Sequence, residues 1–145
     1  MRVNQRLAVV AGVCAPATAC AIISRRVTQE ELNRRELERY VQRVTDRWPA
    51  QRALLGGARV ADMRGAPRQR ERGPEYVIVF VSEHFDGMPW LERVYHTGSL
   101  WDAYEMGAPA DVHCYTPAEF ERKRETLRVV RDAAEHGLEL LPEPA

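Results

Sequence analysis

The chain has 145 residues, 45% of them hydrophobic, enough for one domain with a buried core. Its 21 Lys and Arg balance 21 Asp and Glu, which excludes a global electrostatic pull toward nucleic acid or an anionic membrane. Three cysteines (Cys14, Cys20, Cys114) form no Cys-x-x-Cys and leave one without a mate in any disulfide scheme, so reduced thiols in a cytoplasmic protein are the expectation.

In chain order, Arg2 and Arg6 precede an apolar, Ala-rich run of 17 residues, Leu7 to Ile23. Within it Ala19-Cys20-Ala21 has the form of a signal-peptide cleavage site. The run is short for a membrane span and Pro16 interrupts it. An export signal, a partner-docking extension and an N-terminal helix of the fold all fit, so export stays open beside the cytoplasmic default. Residues 1–27 are therefore set apart from a domain over residues 28–145.

Thr28-Gln29-Glu30-Glu31 has the form of a capping box and predicts a helix start. Leu37, Tyr40, Val41, Val44 and Trp48 share one face at helical spacing, and Pro49 stops the helix. Arg52 to Leu55 is a short strand candidate running into Gly56-Gly57. From Ala58 to Arg72 the chain carries Arg59, Arg64, Arg68, Arg70 and Arg72, a long loop whose arginines are either solvated or suited to phosphates.

Tyr76 to Ser82 is a continuous apolar, β-branched run, the mark of a strand buried on both faces, with Glu75 at its mouth. A helix opens at Met88-Pro89-Trp90, with Trp90, Leu91, Val94, Trp101 and Tyr104 on a shared face and a break near Gly98. Asp111 to Tyr115 is a second acid-led strand. Thr116-Pro117-Ala118-Glu119 then caps a helix whose apolar face, Phe120, Leu127, Val130 and Ala134, continues to a stop at Gly137. Leu138 to Leu141 is a last short strand. The order of elements predicts an α/β (α+β) domain, a small mixed β-sheet with flanking helices.

The stretches Val81 to Arg93, Leu100-Trp101-Asp102, Ala110 to Lys123 and Val129 to Leu140 resemble the minimal nucleotidyltransferases of the DNA polymerase β-type superfamily. The resemblance implies a Gly-Ser turn after the first strand, whose amides hold a nucleoside triphosphate. It implies an Asp-x-Asp at the start of the second strand and a third acid on a neighbouring one, together holding Mg²⁺. The implied activity is transfer of a nucleoside monophosphate from ATP or another NTP to a hydroxyl. The implied partner is a small helical protein of the HEPN type, the chain being the antitoxin half of a toxin–antitoxin pair.

Carried over residue by residue, the pattern is incomplete. Gly56-Gly57 stands where Gly-Ser belongs, with Arg59 just beyond as a nucleotide contact. Glu75-Tyr76-Val77 takes the place of the acid pair, and Asp111 matches the third acid. Glu75 and Asp111 are thus the expected catalytic and metal-binding residues, one carboxylate short of the family's set. The other acid-x-acid spacings, Glu36/Glu38 and Glu119/Glu121, fall in helices, where i and i+2 diverge. Nucleotidyl transfer is therefore expected to be impaired, and an inactive binding module is the alternative. His113, two residues after Asp111, shares its face and reads either as a stand-in ligand or as a structural hydrogen bonder.

Overall fold

The computed structural model describes residues 32–63 and 73–142, and Asn33–Ala145 is one compact unit. The N-terminal run, the Thr28 to Glu31 capping box and Arg64 to Arg72 lie outside the described residues.

Helix α1 (Arg34–Arg47) begins at Asn33, whose side-chain oxygen accepts from the Glu36 amide. Its apolar stripe is the expected one: Leu37, Tyr40, Val41 and Val44 are buried. Strand β1 (Arg52–Gly56) leads into a short helix α2 (Ala58–Met63), where the sequence reading placed only loop. Apolar Val60 and Met63 are too few to announce a six-residue helix by periodicity.

Strand β2 (Tyr76–Val81) is buried at all six positions, as its unbroken apolar run requires. A 3₁₀ turn (Glu83–Phe85) then leads to α3 (Trp90–Gly98) and the single turn α4 (Ala103–Met106). The break after Gly98 is where the sequence suggested it, but the shared apolar face is not formed. Leu91 and Tyr104 are 79% and 92% exposed, while Arg93 and Thr97 are buried instead. Strand β3 (Ala110–Tyr115) follows, then α5 (Pro117–Thr126) with the full Thr116/Glu119 capping box. The last helical segment is two helices, not one. Leu127 is extended (φ −106°, ψ 118°) and partly exposed, and α6 (Arg128–His136) starts after it. The final strand, β4, is only Leu138–Glu139.

The four strands form one mixed sheet in the order β3-β2-β1-β4. β1 is antiparallel to β2 and β4, and β2 is parallel to β3 with Val77 opposite Asp111. Alternation along β2 sorts the layers. Val77, Val79 and Val81 join Leu54, Tyr115, Phe120, Val130 and Ala133 in a core under α5 and α6. On the other face Phe80 meets Tyr40, and Trp101 packs edge-on against Tyr40 and tilted against Tyr76. The Tyr40 hydroxyl donates to the Thr97 carbonyl, which ties α1 to α3.

Helix α6 comes unusually close to β1. A side chain at Gly137 would meet the Ala133 and Leu55 carbonyl oxygens at 2.2 and 2.6 Å. At Gly98, by contrast, an added methyl meets nothing within 4 Å. Gly137→Ala is accordingly expected to destabilise the fold by about 1–3 kcal/mol through overpacking, with Gly98→Ala neutral or stabilising, as read by urea unfolding.

A second constraint is an ion pair between α3 and α5. Buried Arg93 reaches Glu119 at 2.6 Å, and its remaining donors go to the Met88 and Cys114 carbonyls. Glu119 also accepts from the Thr116 amide at 3.0 Å. The Arg93 guanidinium, ahead of that amide, holds the Glu119 carboxyl below its ordinary value of 4.5. A carboxylate with a depressed folded pKa adds stability that is complete above its unfolded value and lost as the pH falls through the folded one. In Glu119→Gln, stability at pH 7 should drop by roughly 1–3 kcal/mol, and the fall between about pH 5 and pH 3 should flatten, in urea titrations across that range.

Candidate functional site

The corner expected to carry chemistry lies where the N-terminal ends of β2 and β3 adjoin the end of β1. It is built by a close crossing of two chain segments. Gly57 has φ +107°, and a side chain there would come within 2.4 Å of the Glu75 carbonyl oxygen. Only glycine allows that approach with that backbone conformation. The crossing is sealed by two hydrogen bonds, Ala58 N–H to the Pro74 carbonyl at 3.0 Å and Arg59 N–H to the Glu75 carbonyl at 3.3 Å. These are the opening amides of α2, and both are already occupied by protein.

Arg59 closes the corner. Its Nε donates to Glu75 Oε2 at 2.8 Å, and its Nη1 to Tyr76 Oη at 2.7 Å and the Met106 carbonyl at 2.9 Å. The guanidinium also lies over the Tyr76 ring, 5.0 Å from its centre. Arg59 therefore ties α2, the mouth of β2 and the end of α4 together. Glu75 sits just before β2, with its carboxylate drawn to Arg59 on the Tyr76 side of the sheet.

Asp111 stands on β3 opposite Val77, on the other face. Period-two alternation puts Asp111, His113 and Tyr115 in one row, and they are hydrogen-bonded in series. Asp111 Oδ2 lies 3.0 Å from His113 Nε2, and His113 Nδ1 lies 2.9 Å from Tyr115 Oη. The row runs from solvent into the core: Asp111 is exposed, His113 half-buried and Tyr115 buried. The bond from His113 holds the Asp111 carboxyl below its ordinary 3.8, against the opposing effect of burial. An ionised Asp111 only accepts, so Nε2 carries the proton and, in the neutral ring, Nδ1 accepts from the Tyr115 hydroxyl. Burial, reinforced by the Asp111 charge, pushes the Tyr115 phenol up to about 12. Trp90 stacks on Tyr115 with ring centres 5.2 Å apart and covers the row from α3.

The backbone thus brings Gly56, Gly57, Arg59, Glu75 and Asp111 to one end of the sheet, while the side chains divide into two separate ties, Arg59–Glu75 and Asp111–His113. Val77, buried in the core, fills the position between them. Among the described residues no three His, Cys, Asp or Glu side chains gather as a metal group would require. As donors, one carboxylate paired to a guanidinium and another to an imidazole do not fit a Mg²⁺ ion, which takes near-octahedral oxygen ligands. The Asp-x-His-x-Tyr alternation was visible in the sequence, and it is the signal that finds Tyr115 as the third member of the row. Two open surface depressions, of about 300 and about 470 Å³, share Glu83 and Pro117 at the opposite ends of β2 and β3, and neither is lined by any of these residues.

The Arg59 tie has a measurable consequence. Arg59→Ala removes donors from Glu75, Tyr76 and Met106 at once and should destabilise the protein by about 1–3 kcal/mol in urea unfolding. Arg59→Lys should recover little of it, because an ammonium cannot serve acceptors spread across a planar fork.

No family model matches the chain, and no curated protein does. Among solved structures, the crystal structure of a "putative nucleotidyltransferase" from Sulfolobus solfataricus matches with 18% identity and a TM-score of 0.44, over 61% of this chain and 71% of that one.

Proposed function

We propose that this chain is a nucleotidyltransferase-like protein that acts by binding and transfers no nucleotide. One observation carries the reading: the two carboxylates expected to hold the metal, and Arg59 beyond the Gly turn, already have partners within the protein. Glu75 is held by Arg59, Asp111 by His113, and the Ala58 and Arg59 amides by carbonyls of the incoming chain. Phosphoryl transfer draws its rate from free, pre-aimed charges around the phosphates. Here those charges are spent, and Val77 supplies neither charge nor lone pair where the second acid of the family's pair belongs. The ties are what a scaffold uses to keep a polar corner ordered without a ligand.

A binding role is also favoured by apolar side chains left outside the fold, Leu91 and Tyr95 on α3 and Tyr104 on α4. The partner class implied by the sequence resemblance, a small helical HEPN-type protein, makes the chain the antitoxin-like half of such a pair. No helix among the described residues is long and apolar enough to cross a membrane.

The test is transfer of radiolabel from ATP with Mg²⁺ or Mn²⁺, to the chain itself and to co-expressed protein. The natural chain is expected to label nothing above the level of Asp111→Asn. Labelling by the natural chain that Asp111→Asn abolishes overturns the reading and makes Glu75 and Asp111 catalytic residues after all.

A further inference from the structure

We infer that the outer face of α3 docks a basic, amphipathic segment of a partner protein. This rests on the reading of the chain as a binding module and names the surface and the chemistry of the partner. Leu91 and Tyr95, one helical turn apart, are 79% and 73% exposed, and Trp90 beside them is 41% exposed although it stacks on Tyr115. Aliphatic and aromatic side chains at i and i+4 left in water form a ridge that an apolar stripe of matching helical spacing covers. Isolated exposed apolar residues need no explanation, but a ridge continuous with a stacked tryptophan does.

Charge decides what covers it. Residues 83–111 hold six Asp or Glu and a single Arg, a net charge of −5, inside a chain whose total is zero. The one cation, Arg93, is buried against Glu119 and offers nothing outward. Asp86 just before α3, Glu92 on it, and Asp111 on the strand row that Trp90 packs against are all exposed. An apolar centre with an acidic rim matches a partner segment with apolar anchors between Arg or Lys residues. A two-fold dimer through this face would set two acidic rims against each other, which disfavours a second copy as the occupant.

The experiment uses the full chain and a synthetic amphipathic peptide of about 16 residues with Leu at helical spacing and Arg elsewhere, titrated by calorimetry at low salt. A counterpart with Glu in place of Arg is the control. The Arg peptide is expected to bind and the Glu peptide not. A Leu91→Ser, Tyr95→Ser double variant should weaken binding at least about tenfold. Both positions are exposed, so the variant should keep its fold, which circular dichroism verifies, and Leu127→Ser, at the α5–α6 break, should bind like the natural chain. Equal binding of both peptides, or binding indifferent to the double variant, overturns the inference. So does a dimer of the natural chain in sedimentation that the double variant abolishes, because the occupant is then a second copy. None of these results bears on label transfer at the strand corner, so the two proposals fail separately.

Discussion

The register between β2 and β3 is the constraint on which the rest depends. β2 is buried on both faces, so a slip of one residue would move Val77, Val79 and Val81 from the α5–α6 core to the side occupied by Tyr40 and Trp101. That cost fixes Val77 opposite Asp111 and sets what stands next to the acid. It also makes Val77 a core residue, 2% exposed among Leu54 and Ala133. An aspartate there would not simply restore a missing ligand. It would place a charge in an apolar cluster, where an unpaired carboxylate is costly.

With that position apolar, Glu75 and Asp111 take partners within the protein. Arg59 answers Glu75 from α2, and His113 answers Asp111 from two residues along the same strand. Both pairs are partly exposed, so their attraction is modest by itself. Their larger effect is geometric. Arg59 joins three elements that the sheet alone would leave independent, and the His113 bond aligns a polar row whose inner end, Tyr115, is part of the core.

The two sides of α3 do opposite work. Its inner side sends Arg93 and Thr97 inward, where Arg93 locks onto the capping carboxylate of α5 and Thr97 contacts Cys114 at 3.2 Å. Its outer side keeps the apolar residues that an isolated domain would be expected to bury. This inversion, polar inward and apolar outward, separates α3 from α1, where Leu37, Tyr40, Val41 and Val44 all face the core.

Much of the architecture was legible in the sequence because its signals are local. The continuous run of β2, the stripe of α1, the capping box at Thr116 and the mixed α/β order all follow from spacing within a few residues. The breaks were less legible: α2 is too short to show a period, and the turn at Leu127 interrupts an apolar pattern that reads straight through it. Residue types and faces also placed Glu75 and Asp111 at the mouths of strands and Asp111 beside His113. What only the tertiary structure decided is which partner each charge takes. Arg59 and Glu75 are 16 residues apart and Arg93 and Glu119 are 26 apart, distances at which no periodicity carries information. A carboxylate's role is set by its partner: Glu75 and Glu119 each take a guanidinium that the chain brings from afar, whereas Asp111 takes an imidazole two residues along its own strand.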